Sequence, residues 1–179
     1  MITEQERIIK RSQGYDIGFE QNGKKYWINS DAWDGEKEER LFQETGLRTL
    51  REDTGNKNLV LYDSNFFEAI SGVLHYKSCV EKDIPQPINM SSAFQMFFRL
   101  SGIQSLDLSD WDMSNVVAIN RMFQDCNDLL SINLSSWDTQ SIITTSRMFL
   151  GCSSVESINL DNWNVQSLKY MDYMFFECM

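Results

Sequence analysis

Leu106-Asp107-Leu108-Ser109-Asp110-Trp111-Asp112-Met113-Ser114-Asn115-Val116, followed by Met122-Phe123-Gln124-Asp125-Cys126, is the stretch whose reading decides the fold. It recurs at a fixed step of 26 residues. Trp111, Trp137 and Trp163 stand at one point of that step, and Met122-Phe123, Met148-Phe149 and Met174-Phe175 at another. Cys126, Cys152 and Cys178 stand at a third. One step further back lie Met96-Phe97, with Leu100 in the cysteine position. Fixed-period self-similarity between about 20 and 50 residues is the signature of a solenoid, so residues 89–179 read as about 3.5 stacked units.

Within each unit, Asn89, Asn115, Ser141 and Ser167 share a column of residue types that cap helix N-termini. Met90, Val116, Ile142 and Leu168 follow, then Ala93, Ile119, Thr145 and Met171, then the Met-Phe pair and Leu100 or cysteine. Those spacings predict one helix per unit with its apolar stripe turned inward. Ile103-x-x-Leu106-x-Leu108 and its counterparts at 129–134 and 155–160 alternate as a short strand does. The expected fold class is therefore α/β: a leucine-rich-repeat-like solenoid of one helix and one short parallel strand per unit, behind an N-terminal α+β module. The tryptophans sit where a leucine-rich repeat carries its inward asparagine, and Asp112, Asp138 and Asn164 after them can bond the turn backbone.

Stacking would line the strands up and leave Ser105, Asp107, Ser109, Ser131, Asn133, Ser135, Ser157, Asn159 and Asp161 outward as a candidate protein-binding face. The same small polar residues would equally serve to solvate a sheet. The conspicuous tryptophan, methionine and cysteine columns read as core.

Residues 1–83 depart from the 26-residue step and read as the separate α+β module. Thr3-Glu4-Gln5-Glu6 predicts a capping box opening a helix over about 4–12. Asn22-Gly23 between Tyr15–Glu20 and Lys24–Ile28 predicts a type I′ hairpin. Glu36–Glu44 predicts a short helix stopped by Gly46. Leu47–Leu50 and Leu59–Tyr62 around Asp53–Lys57 predict a second hairpin. Phe66, Phe67, Ile70, Val73 and Leu74 recur at helical spacing after Asp63 or Ser64, predicting a helix closed by His75, the only histidine. Cys79 has no CxxC partner and reads as an ordinary thiol. Both prolines fall in Glu81–Pro87, which marks a linker, placed at residues 84–88.

The 179 residues carry a formal charge of −10, with a sequence pI of about 4.5. That balance argues against a nucleic-acid or anionic-membrane partner and for a basic one. Residues 89–179 hold ten acidic and four basic side chains, a net −6. The first residues lack a basic and an apolar signal region, and no run reaches the length of a membrane span, so a native start at Met1 implies a cytoplasmic protein. Three of four cysteines obey the repeat register, which gives them a packing role and favours free thiols. Cys178-Met179 stands where another strand would begin, so the last unit lacks a polar cap. A homodimer through that end is the expectation.

The pattern Leu-Asp-Leu-Ser-x-Trp-Asp-x-Ser-Asn-Val with Met-Phe-x-x-Cys resembles the repeat of the BspA-like bacterial leucine-rich surface proteins, the DUF285 repeat family, over residues 88–179. The resemblance implies a binding protein with no enzymatic activity in the repeat. Family members are typically secreted or surface-anchored, and similar repeats occur in phages and mobile elements.

The reading is thus a non-enzymatic protein-binding scaffold with no cofactor and no metal. One alternative is a phage or mobile-element anti-defence inhibitor of the anti-CRISPR type, using its acidic surface to occupy a basic groove. A second places a metal-dependent hydrolase or nuclease in the N-terminal module, with Asp31, Asp34 and Glu36 as ligands. Two-metal chemistry needs carboxylates converging from different elements, whereas these cluster locally.

Overall fold

A computed structural model describes residues 1–52, 58–77 and 84–178. The expected turn at Asp53–Lys57, Cys79 and the Glu81–Asp83 part of the linker stretch lie outside the described residues. The chain is mixed α/β, with two α-helices and small sheets.

Local chemistry sets the first elements. Helix α1 (Glu4–Ser12) opens on a reciprocal cap. Glu6 N–H donates to Thr3 Oγ1 at 3.2 Å, and Thr3 N–H donates to Glu6 Oε2 at 2.7 Å. Strands β1 (Ile17–Gln21) and β2 (Lys24–Ile28) pair antiparallel, because Asn22 and Gly23, at φ 52° and 75°, supply the two left-handed residues of the turn. Gly18 lies opposite Trp27, whose indole covers it so closely that a Cβ would collide with the ring. Asn29 caps a 3-10 turn, Ser30–Ala32. Asp34 caps α2 (Gly35–Thr45), and Gly46 ends it in the left-handed region. β3 (Leu47–Arg51) then pairs with β4 (Leu59–Asp63).

Residues 64–75 depart from the expected helix. They form a third hairpin, β5 (Phe67–Ile70) with β6 (Val73–Tyr76). The reason is the pair Ser71-Gly72, at φ 50° and 77°, which turns the chain back before a helix could nucleate. Asp63 Oδ1 accepts Asn65 N–H in a local turn instead of capping a helix. His75 therefore sits on a strand, its Nδ1 3.1 Å from the Gln95 carbonyl oxygen.

Strand β4 divides the core. Leu59 and Leu61 pack with Ile17, Phe19, Ile28 and Leu41. Val60, on the opposite side of the strand as its alternation requires, joins Phe67, Leu74 and Tyr76 in the cluster that runs through the 26-residue units. The expected linker 84–88 packs against both clusters. Ile84 is buried in the larger one, its carbonyl accepts Trp111 Nε1–H at 3.0 Å, and Ile88 pairs with Leu61. The Glu52 carboxylate accepts from Ser91 N–H and Ser92 N–H, tying the module to the first unit.

In the units, β7 (Ser105–Leu106), β8 (Ser131–Asn133) and β9 (Ser157–Asn159) form a parallel sheet with partners 26 residues apart. The expected helices are absent among the described residues of 84–178. Each gives way to a row of consecutive tight turns, and the backbone shows why. Gln95 and Arg99, Arg121 and Asp125, Arg147 and Gly151, and Tyr173 and Glu177 all have positive φ, between 55° and 75°. A left-handed residue at every fourth position cannot sit in a right-handed helix. Even-numbered N–H groups close turns inside their own unit, as Met122 does to Ile119 and Gln124 to Arg121. Within the row 119–125 the odd-numbered N–H groups donate forward to the next unit: Ile119, Arg121, Phe123 and Asp125 bond the carbonyls of Thr144, Ser146, Met148 and Leu150 at 2.7–3.1 Å, whereas Val117 N–H, just before the row, donates back to the Ser91 carbonyl. Successive turns bury Val116, Ile119, Met122, Phe123 and Cys126 on the spacing an amphipathic helix would use, which is why the pattern misleads. The expected caps serve elsewhere: Asn89 Nδ2 donates to the Leu59 carbonyl, and Ser141 Oγ to that of Ser114.

Candidate protein-contact surface

Three side-chain columns hold the units in register, and a fourth closes a turn within each unit; together they shape the surface outside them. Phe97, Phe123, Phe149 and Phe175 stack nearly parallel, with centroids 5.3–5.9 Å apart. Trp137 Nε1–H donates to the Leu108 carbonyl at 3.0 Å and Trp163 Nε1–H to that of Leu134 at 2.9 Å, so each indole satisfies a carbonyl of the preceding unit while filling its corner. Cys126, Cys152 and Cys178 are free thiols. Their Sγ atoms lie 2.9–3.0 Å from the carbonyl oxygens of Phe97, Phe123 and Phe149. Burial pushes Cys126 and Cys152 up to about 12 and raises Cys178, so they are inert packing groups at neutral pH. Asp112, Asp138 and Asn164 each accept the N–H two residues on and close the turn after the tryptophan. Asp112 is held below the usual carboxylate range, chiefly by Ser114.

On this frame the nine sequence-predicted face residues come together as three columns on one side of the β7–β8–β9 sheet. Ser105, Ser131 and Ser157 form the first, and all are exposed. Asp107, Asn133 and Asn159 form the second, and Ser109, Ser135 and Asp161 the third. Those two columns are linked locally: Asp107 Oδ1 accepts Ser109 N–H, Asn133 Oδ1 accepts Ser135 N–H, and Asn159 Oδ1 accepts Asp161 N–H, at 2.9–3.1 Å. The second column thus shapes the strand ends. The serine column carries no side-chain bond of this kind. None of the nine is basic; Arg121 and Arg147 lie instead on the turn rows, the latter 5.8 Å from the Tyr173 ring.

Of the three carboxylates considered as metal ligands, Asp31 lies exposed in the 3-10 turn, while Asp34 and Glu36 are each engaged on α2. Asp34 caps α2 through Lys37 N–H and pairs with Lys37 Nζ at 2.7 Å. Glu36 pairs with Arg40 at 3.2 Å. Glu38 accepts from Trp33 Nε1–H and from Thr49. Among the described residues no three His, Cys, Asp or Glu side chains gather as a metal would require, and no helix is long and apolar enough to cross a membrane.

Sequence reasoning missed the turn rows and the direction of their hydrogen bonds. Gly151 is the one glycine in a left-handed column otherwise held by Arg99, Asp125 and Glu177, and it was the only residue that could have signalled them.

A family model described as "Mycoplasma protein of unknown function, DUF285" matches residues 88–179, just over half of the chain. The chain belongs to the DUF285 family. No curated protein and no solved structure gives a match. The DUF285 region begins at Ile88, where the chain leaves its pairing with Leu61 and enters the first turn row.

Proposed function

We propose that the 26-residue units form a leucine-rich-repeat-like solenoid, and that the chain is a non-enzymatic scaffold binding another protein through the strand face. The observation that carries this reading is the assembly of nine small, uncharged or acidic side chains into three ordered columns on a sheet backed by stacked aromatic rings. A flat surface without long side chains loses little conformational entropy when a partner covers it. The net charge of −6 over residues 89–179 favours a partner with a basic surface, through faster encounter and salt-sensitive affinity. Three unpaired thiols stacked in one column suit a reducing compartment such as the cytoplasm.

Ser131 and Ser157 test the reading, because replacing them breaks none of the side-chain bonds that shape the strand ends. A Ser131→Lys/Ser157→Lys variant is expected to keep its circular dichroism and melting temperature and to lose the partner that the parent protein captures from host extract. The parent's capture should weaken as salt is raised. Equal capture by both proteins would remove the strand face from the binding surface.

A further inference from the structure

The few positive charges of the repeat region are placed in two different ways. Residues 89–179 hold four basic side chains against ten acidic, and of the four Arg99 Nε pairs with Asp125 Oδ2 at 3.5 Å. Arg121 and Arg147 stand at equivalent points of successive units. Among the described residues neither forms an ion pair or a side-chain hydrogen bond, and the Arg147 guanidinium has only the Tyr173 ring, at 5.8 Å. Arg121 N–H donates to the Ser146 carbonyl at 3.0 Å, and Ala118 and Thr144 form a parallel bridge just before the two rows, so the two arginine side chains rise from the backbone roughly 5 Å apart. Both are partly buried. Like charges set side by side and partly withdrawn from water repel each other, yet ten carboxylates in the same region leave this pair uncompensated.

Both arginines line an open cleft of about 400 Å³, together with Asn120, Thr144, Ser146 and Asp172. Thr144 Oγ1 accepts Ser146 N–H at 3.5 Å, which leaves its own proton to donate. The Asn120 side-chain amide is unbonded among the described residues. The Asp172 carboxylate accepts Ser146 Oγ–H at 3.3 Å and pairs with neither arginine. Two positive charges with neutral donors beside them match a tetrahedral dianion. A phosphate monoester carries about −1.5 to −2 at pH 7 and balances both guanidiniums, whereas a carboxylate balances one, and guanidinium forks bond phosphate oxygens in pairs. The net −6 of the surrounding region opposes an extended polyanion such as nucleic acid. The two arginines belong to the rows 119–125 and 145–151, each of which is bonded to a row on either side, so the cleft is built from the interior of the array.

We propose that Arg121 and Arg147 form a binding site for a phosphate monoester, with Thr144 Oγ1–H and the Asn120 amide as further donors. The bound group removes the repulsion between the two guanidiniums and supplies the counter-charge that the fold withholds from them. The site uses no residue of the strand face, so either reading can fail without the other.

Calorimetric titration of the full chain at constant ionic strength tests the site, with inorganic phosphate in one arm and a phosphoserine peptide, beside its unphosphorylated form, in the other. Saturable one-to-one binding of the phosphate group is expected, together with shifts of the Arg121 and Arg147 Nε–H resonances. Tighter binding of the phosphopeptide assigns the phosphate to a partner polypeptide, and equal or tighter binding of inorganic phosphate assigns it to a small free anion. Arg121→Gln/Arg147→Gln, which breaks no ion pair, should keep its melting temperature in phosphate-free buffer and weaken binding by about tenfold or more, because charge-assisted bonds are the stronger kind. The proposal is overturned by undiminished binding to the double variant, by equal binding of the unphosphorylated peptide, or by dissociation constants above about 1 mM in both arms. A lowered melting temperature of the double variant without phosphate would overturn it as well, by giving the arginines a role in the fold.

Discussion

The row at 145–151 and the row at 171–177 are built from the same register, yet they occupy opposite physical situations. In the first, each odd-numbered N–H has a carbonyl and Phe149 has a ring on both faces. In the second, the donors meet nothing among the described residues, and Phe175 has a ring on one face only. The same Met-Phe pair therefore stabilises the chain to different extents in the two rows, because a unit of this kind acquires its hydrogen bonds and much of its burial from its neighbour.

The largest consequence concerns the phenylalanine column. Phe123→Ala removes a fully buried ring stacked on both Phe97 and Phe149 and should cost about 3–5 kcal/mol. Phe175→Ala removes a half-exposed ring and should cost roughly 1 kcal/mol or less, within the range of surface changes. Urea denaturation of both variants measures the contrast. Equal losses would mean that the outer row is as well supported as the inner one.

The thiol column offers a smaller effect. Cys126 and Cys152 have folded-state values raised by burial to about 12, above that of an unfolded thiol, so the folded state holds its protons more tightly. Their contribution is fully present below the unfolded thiol's pKa, about 8.5, and is lost as pH rises from there toward 12. Each can lower stability by up to about 1.4 kcal/mol per pH unit in that window. A Cys126→Ala/Cys152→Ala variant should show a flatter decline between pH 9 and 11 than the parent, as an order-of-magnitude expectation. Among the three column thiols, a maleimide should label the partly exposed Cys178 first in the native protein. Faster labelling of Cys126 or Cys152 would show the inner units to be open.

The contrast between rows was only half legible in the sequence. The 26-residue step, the short parallel strands and the inward tryptophan, phenylalanine and cysteine columns follow from periodicity and burial alone. So do the capping box at Thr3 and the Asn22-Gly23 hairpin, where residue type dictates backbone geometry. The turn rows were not legible, because apolar residues spaced three and four apart fit both a helix and a string of tight turns. Their left-handed positions are filled mostly by Gln95, Arg121, Arg147 and Tyr173 rather than glycine, so the usual marker is missing. The helix expected over 64–75 failed similarly: Phe66, Phe67, Ile70, Val73 and Leu74 carry a helical spacing, but Ser71-Gly72 sets the turn. Of the candidate face, sequence placed all nine residues on one side of the sheet. It could not show that Asp107, Asn133 and Asn159 are partly committed to closing the strand ends, since that depends on the turn each one adjoins.

Amide hydrogen exchange on the isolated chain, resolved by residue, tests the directional ladder most directly. The account predicts strong protection at Ile119, Arg121, Phe123, Asp125, Thr145, Arg147, Phe149 and Gly151, and near-unprotected exchange at Met171, Tyr173, Phe175 and Glu177 under the same conditions. Equal protection of the two sets, or protection of the even-numbered amides alone, would contradict it.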